Sequence, residues 1–352
     1  MFQIRRNFLL AAFAIATACG DLASADHGSV GFGLGTAGPI ITNSAIPLPA
    51  DKALVGITSQ YIKNRRFSDG QLIEFNEAVE GQGRNIHSTE SLLTASWIAA
   101  YGVTDDLTLG LRFPYVWRNN IREVSHHPDE GGGEPEEAPE VQNLGDPNGI
   151  GDLTVFGQWR FFHTADNLTN VALLAQVKMP TGRTNRVTAP NDEGESEVFE
   201  THFQPGSGSW DAGLGVAFTQ GFGSFSFDSN VLYNLVTQGA QGVDNGDSFS
   251  YNFALSWSPG GTLGGGLQAE SNFNPVTLIV ELNGEWRDFV TQNGVIDQEE
   301  GGHTLFISPG ARFSGGQNWN VALSFGVPIV TDLNGFQEKP DYRITSRFVF
   351  TF

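Results

Sequence analysis

The residues that could carry acid–base or metal chemistry in this chain are few, and their spacing does not bring them together. Seven histidines are scattered along the sequence, and neither a Gly-x-Ser-x-Gly elbow nor a His-Glu-x-x-His pair occurs. His87, His126, His127, His163, His202 and His303 fall in loops or at strand ends, none set beside a nucleophile, so an enzyme is not expected. The one compact group of metal-ligand types is His126-His127-Pro128-Asp129-Glu130. Adjacent residues rarely converge on one ion, and the tract around them is rich in Gly and Glu. No specific metal centre and no cofactor are expected. The acidic loops are expected instead to hold divalent ions that bridge surface lipopolysaccharide.

The remaining charges follow a two-residue rhythm. Arg112, Asp152, Arg160, Lys178, Asp211, Asp228, Glu281, Glu285, Arg287, Arg312, Arg343 and Arg347 alternate with apolar neighbours along short segments. Successive side chains of a β-strand point to opposite faces. The apolar face is clear in Leu107, Leu109, Leu111, Phe113, Tyr115 and Trp117, in Phe249 to Trp257, and in Trp319 to Ile329. A charge facing lipid at mid-bilayer costs several kcal/mol, so these twelve residues are expected to line the lumen of a barrel. Small residues such as Gly110, Gly213, Gly215 and Ser324 share that inner face. A lumen of polar and small side chains can hold water. A network of ion pairs that merely satisfies buried charge would leave the same pattern.

Composition supports lipid as the outer environment. Charged residues make up only 16% of the chain, beside 44 Gly, 27 Phe and 7 Trp; a soluble domain carries roughly 25% charged residues. No apolar run approaches the ~20 residues of a membrane helix. The net charge of −20 makes nucleic acid an improbable partner. That charge is concentrated in two runs, eight carboxylates in 119–149 and five in 191–200. Arg5 and Arg6 precede a short apolar stretch ending near the small-residue site Ala23-Ser24-Ala25, so residues 1–25 are expected to be a cleaved export signal. Acylation at Cys19, the only cysteine, is the rival reading. Residues 26–50 are expected to be a periplasmic segment and 51–352 the barrel.

Alternation and turn punctuation give twelve strands, near 53–63, 89–103, 107–118, 150–162, 168–180, 209–220, 223–237, 248–258, 276–289, 303–314, 318–331 and 341–352. Short connections such as 104–106 and Gly221-Phe222 alternate with long ones at 64–88, 119–149 and 181–208, as in an up-and-down antiparallel transmembrane barrel with periplasmic turns and external loops. Residues 259–275 are long for a turn, and a further short strand there would make fourteen. In the last strand Tyr342, Ile344, Ser346, Phe348, Phe350 and Phe352 share one face. Tyr342, Phe348, Phe350 and the terminal Phe352 are expected to serve as the assembly signal for the barrel-assembly machinery and periplasmic chaperones.

Gly151-Asp152-Leu153, Lys178-Met-Pro-Thr-Gly182 and Gln204-Pro-Gly-Ser-Gly-Ser-Trp-Asp211 together resemble the phenol meta-pathway degradation family of outer-membrane barrels, as does Tyr101-Gly-Val-Thr-Asp105 with its following strand. The resemblance spans about 45–352. It implies an outer-membrane location and uptake of small compounds, aromatic ones included, and it carries over no catalytic residue. The expected function is a passive channel for small solutes, with a non-conducting surface barrel bearing acidic loops as the alternative.

Overall fold

Twelve antiparallel strands close into a barrel in the computed structural model, which describes residues 38–79, 86–125, 139–191, 194–259, 276–315 and 318–352. The export segment with Cys19, the His126-His127 tract and residues 260–275 lie outside the described residues. The barrel strands are β1 (Ala53–Asn64), β2 (His87–Thr104), β3 (Leu107–Ser125), β4 (Leu153–His163), β5 (Thr169–Met179) and β6 (Asp211–Phe222). They continue with β7 (Phe225–Leu235), β8 (Ser248–Trp257), β9 (Val276–Arg287), β10 (Gly302–Gly315), β11 (Trp319–Leu333) and β12 (Pro340–Thr351). Each expected strand is present within a few residues, except that β3 runs seven residues beyond the expected 118 and also pairs with two short segments, Glu140–Gly145 and Asn148–Ile150, that lie largely inside the expected loop 119–149. Closure follows from β1 pairing with β12, in a register running from Leu54 opposite Thr351 to Asn64 opposite Pro340. Lipid offers no hydrogen bonds, so a spanning sheet must leave no edge.

The exterior is the apolar set of the alternation. Leu109, Leu111, Phe253, Leu255, Leu323, Phe325 and Phe348 all project outward and are exposed. Aromatic residues gather at both rims. At the short-turn end Phe222, Phe225 and Trp257 stack in a row, joined elsewhere on that rim by Trp159 with Phe161 and by Phe350 with Phe352. At the other end Tyr115 contacts Trp117, and Tyr342 contacts both Tyr61 and Phe325. Such rings sit at the two interfaces of a bilayer. Two hydroxyls on the lipid side, Ser59 and Ser346, satisfy each other at 2.7 Å across the β1–β12 seam.

Three further features depart from the expected map. The turn placed at Gly221-Phe222 falls two residues later, because Gly223 takes φ +65° and Phe222 pairs with Phe225 across it. The connection 64–88 contains a helix, α1 (Asp69–Val79), whose start is a capping box: Ser68 and Gln71 exchange backbone-to-side-chain hydrogen bonds at 3.0 and 3.3 Å. Residues Val290–Gln292 and Val295–Asp297 form a hairpin that pairs with Val243–Asp244, turning on Asn293 and Gly294, both at positive φ.

Closure predicts heat-modifiable migration: unboiled protein in SDS should run at a different position from boiled protein, and identical mobility would contradict a closed sheet. Orientation predicts a second result. Val280 faces outward near the middle of β9, so Val280→Arg should lower unfolding stability in liposomes by about 2–4 kcal/mol, measured by urea titration.

Candidate functional site

Inside the barrel lies a stretch of the chain itself. Residues 38–50, which the sequence places in the periplasm, run through the lumen as an arch. They have no sheet to pair with, so their backbone groups turn to side chains of the wall. Glu281, fully buried on β9, accepts from the Ile41 amide through both oxygens (3.0 and 3.1 Å) and from the Thr42 amide (2.9 Å). Asn230 on β7 accepts from the Asn43 amide at 2.8 Å. Thr219 on β6 accepts from the Ala45 amide at 2.8 Å and donates to Asp228 at 2.6 Å. Gln158 on β4 donates to the Ser44 carbonyl (2.9 Å), and Thr108 on β3 accepts from Leu48 (2.8 Å). The arch returns to the short-turn end, where Asp105 accepts from the Ala50 amide at 3.0 Å. Ile40 and Ile41 pack on Ile279 and Ala322, and Leu48 packs with Leu54, Ile98 and Phe156. Gly102 lets the arch pass, since a Cβ there would lie 2.0 Å from the Pro49 carbonyl oxygen.

The inward charges of the lower lumen are organised around this arch. Arg312 donates to the Gly38 carbonyl and to Thr277 Oγ1. Arg343 donates to Asn283 Oδ1 at 2.8 Å and lies 4.1 Å over the Phe306 ring. Arg347 is buried on the same face of β12 and feels the charge of Glu281. Arg160 is committed to the short-turn end, 2.8 Å from Asp106 and bonded to the Asp105 carbonyl.

Above the arch is a cavity of about 230 Å³ lined by Arg112, Asp152, Lys178, Asp211, Glu285 and Arg287, six of the twelve charged residues that alternation assigns to the lumen. Leu92, Pro114, Val116, Leu232 and Val236 add apolar wall. Arg287 and Glu285 pair at 3.1 Å, and Lys178 bridges to Asp211.

Asp152 closes the roof of this cavity. Its Oδ1 accepts from the Gly182 amide, and its Oδ2 accepts from both the amide and the hydroxyl of Ser207, all at 2.8 Å. Lys178 donates to the Ser207 hydroxyl at 2.6 Å. Gly182 and Gly206 meet so closely that a Cβ on Gly182 would lie 2.7 Å from the Gly206 Cα. The three separated motifs thus meet at one carboxylate. Together they fold the external loop 181–208 inward as a lid. Gln204 staples the lid internally through Arg186 and Phe199, and Arg118 on β3 donates to the carbonyls of His202 (2.7 Å) and Phe203 (3.1 Å).

Two histidines that spacing leaves isolated meet where the lid touches the wall. His87 opens β2, opposite Glu123 on β3, with its Nε2 2.7 Å from Glu123 Oε2. His202, on a single turn at Thr201–Phe203, stands 5.9 Å from His87 between ring centroids. Burial pulls the His202 imidazole down to about 4; Glu200 opposes the shift, while His87 and Arg118 reinforce it. At the other end of the molecule Phe348, Phe350 and Phe352 face outward on the short-turn rim side of β12, and Tyr342 sits near the opposite rim. The arch and the meeting of His87 with His202 are the site elements that sequence reading misses. An apolar string at Ile40-Ile41 and Ala45-Ile46-Pro47-Leu48, ill suited to a solvated segment, is the one signal that points to the arch.

The barrel resembles solved outer-membrane proteins. An outer-membrane channel from Pseudomonas putida F1 superposes with a TM-score of 0.56 at 16% identity, over 88% of this chain and 98% of that one. The monoaromatic hydrocarbon channel CymD gives 0.44 at 11% identity, covering 86% of this chain and 88% of its own. The toluene transporter TodX of P. putida gives 0.39 at 8%, covering 86% and 90%. No curated protein aligns significantly with the sequence. Residues 75–333 of the 352 match the profile of a family described as "Putative MetA-pathway of phenol degradation", a span that carries Asp152, the lid and most of the barrel, and the chain belongs to that family.

Proposed function

We propose that this protein is a passive outer-membrane channel for small solutes, with hydrophobic and aromatic compounds as its substrate class, gated by the arch and the lid. The observation that carries the reading is the chamber of about 230 Å³, lined by charged and apolar side chains of the wall and by Pro205, Gly206 and Ser207 of the lid, in a lumen whose arch is held by side-chain hydrogen bonds rather than by sheet. Elements held this way open at lower free energy than the strands around them. The fold shared with the P. putida channel supports a channel, and the phenol-degradation description of the family supports this class of cargo. Arg112, Lys178 and Arg287 set the field in the chamber against Asp152, Asp211 and Glu285. Lipid and lipopolysaccharide surround the barrel, and the outward aromatics of β12, Tyr342, Phe348, Phe350 and Phe352, serve its assembly.

The decisive experiment is reconstitution in planar bilayers. Glu281→Ala leaves the Ile41 and Thr42 amides without their acceptor, at about 1–3 kcal/mol each, and should raise open probability by an order of magnitude or more. Deleting residues 38–48 should give a larger, steady conductance. Silence from both variants, each shown to be a folded barrel, would overturn the channel reading.

Charge at the constriction rather than total charge governs selectivity, and loop charges beyond about 8 Å are screened at physiological salt. The arch-deleted protein should therefore show a weak anion preference or none, despite the net charge of −20. Combining Arg112→Ser with Arg287→Ser should move its reversal potential toward cations. For assembly, Phe352→Asp should reduce the heat-modifiable form in outer membranes while periplasmic export continues; a normal yield of barrel would refute the role.

A further inference from the structure

The histidine pair that joins the lid to β2 belongs neither to the chamber nor to the arch. We propose that His87, His202 and Glu200 form a binding site for a divalent transition-metal ion of the zinc class, which clamps the lid to the barrel wall at the outer mouth. Their ligand atoms all lie within 4.8 Å of one another. His202 Nδ1 and Glu200 Oε2 are 3.4 Å apart, the spacing of two ligands around an ion with bonds of about 2.1 Å. The remaining separations, none above 4.8 Å, need to shorten by at most about 1.4 Å, through rotation of the half-exposed Glu200 side chain and of the two imidazoles. Two imidazoles and a carboxylate suit zinc, copper or nickel and do not suit calcium or magnesium, which take oxygen ligands.

The surroundings are those of a built site. Glu123 lies against the His87 ring at 2.7 Å, as a carboxylate does when it orients a ligating imidazole. The turn that carries His202 is fixed from below by Arg118 through two carbonyls. It is fixed from the side by Thr201, whose hydroxyl donates to the Ala240 carbonyl at 3.0 Å, and by Gln241, which donates to the Phe199 carbonyl at 2.8 Å. The His202 ring packs on Phe203 at 3.9 Å between centroids. Backbone order is therefore present before any ion arrives. An adjoining cavity of about 450 Å³, lined by His87, Glu200 and His202 and by the carboxylates Asp297, Glu299 and Glu338, gives a hydrated cation a route in and room for a water ligand. The ligands come from two parts of the chain, β2 and the lid, so one ion would join the moving element to the wall. This last consequence rests on the channel reading; the site does not.

The test uses the full-length barrel in detergent, stripped with EDTA and then titrated with Zn²⁺ by calorimetry and with Co²⁺ by visible absorption. One ion per chain is expected, with cobalt bands of a four-coordinate nitrogen–oxygen site. His87→Ala and His202→Ala, each verified as a heat-modifiable barrel, should weaken binding about tenfold or more, and Glu123→Gln by about tenfold. His126→Ala with His127→Ala should leave the stoichiometry and the cobalt bands unchanged. Binding that survives His87→Ala and His202→Ala, or that is lost with His126 and His127, would overturn the proposal, as would an absence of binding at 100-fold molar excess of Zn²⁺. In bilayers, Zn²⁺ should lower the open probability of wild-type protein and not of His87→Ala. Metal binding with no effect on current would leave the site standing and remove only the clamp.

Discussion

A backbone amide inside a membrane barrel has no water to fall back on, and this one requirement orders the whole molecule. In the wall it is met by the sheet, which must close on itself, so β1 pairs with β12 along almost their full lengths. In the lumen it cannot be met in that way, because the arch at 38–50 has no strand beside it. Its donors find Glu281, Asn230, Thr219, Thr108 and Asp105 instead. The wall therefore carries polar side chains inward for two reasons: lipid excludes them from the outside, and the arch needs them as acceptors. Glu281, wholly buried within the wall, answers both.

The same logic explains why one carboxylate unites three distant motifs. Asp152 sits where β4 begins and faces a loop that must fold back over the mouth without sheet partners. By accepting from Gly182 and twice from Ser207 it supplies the bonds the loop lacks, and the close approach of Gly182 to Gly206 makes that geometry available. Lys178 and Asp211 extend the node along the wall. Truncating Asp152 would unseat both glycine turns at once, because each depends on a separate oxygen of the same side chain.

Much of the wall is legible in the sequence. Period-two alternation in segments such as Leu107–Trp117 and Tyr342–Phe352 gives strand, face and direction together, since a one-residue slip would put Arg343 and Arg347 in lipid. Local chemistry that lacks this rhythm is legible only in part. Ser68 with Gln71 and Asn293 with Gly294 are short-range signals for the helix and hairpin actually formed, though the long loops that hold them draw attention to charge instead. The arch and the lid are set by contacts far apart in sequence, such as Ile41 with Glu281 and His87 with His202, and no spacing rule relates those residues. Their hydrogen-bonding partners could be found only once the wall was closed.

The two described ends of the arch, Gly38 and Ala50, lie toward the same mouth. Gly38 is held by Arg312, three residues before the short-turn end of β10, and Ala50 is held at the β2–β3 turn. The described residues 38–50 therefore dip into the bore and return. Drawing residues 38–50 back toward that mouth parts no strand, because the wall closes through β1 and β12 without them, so the arch can leave without the barrel coming apart.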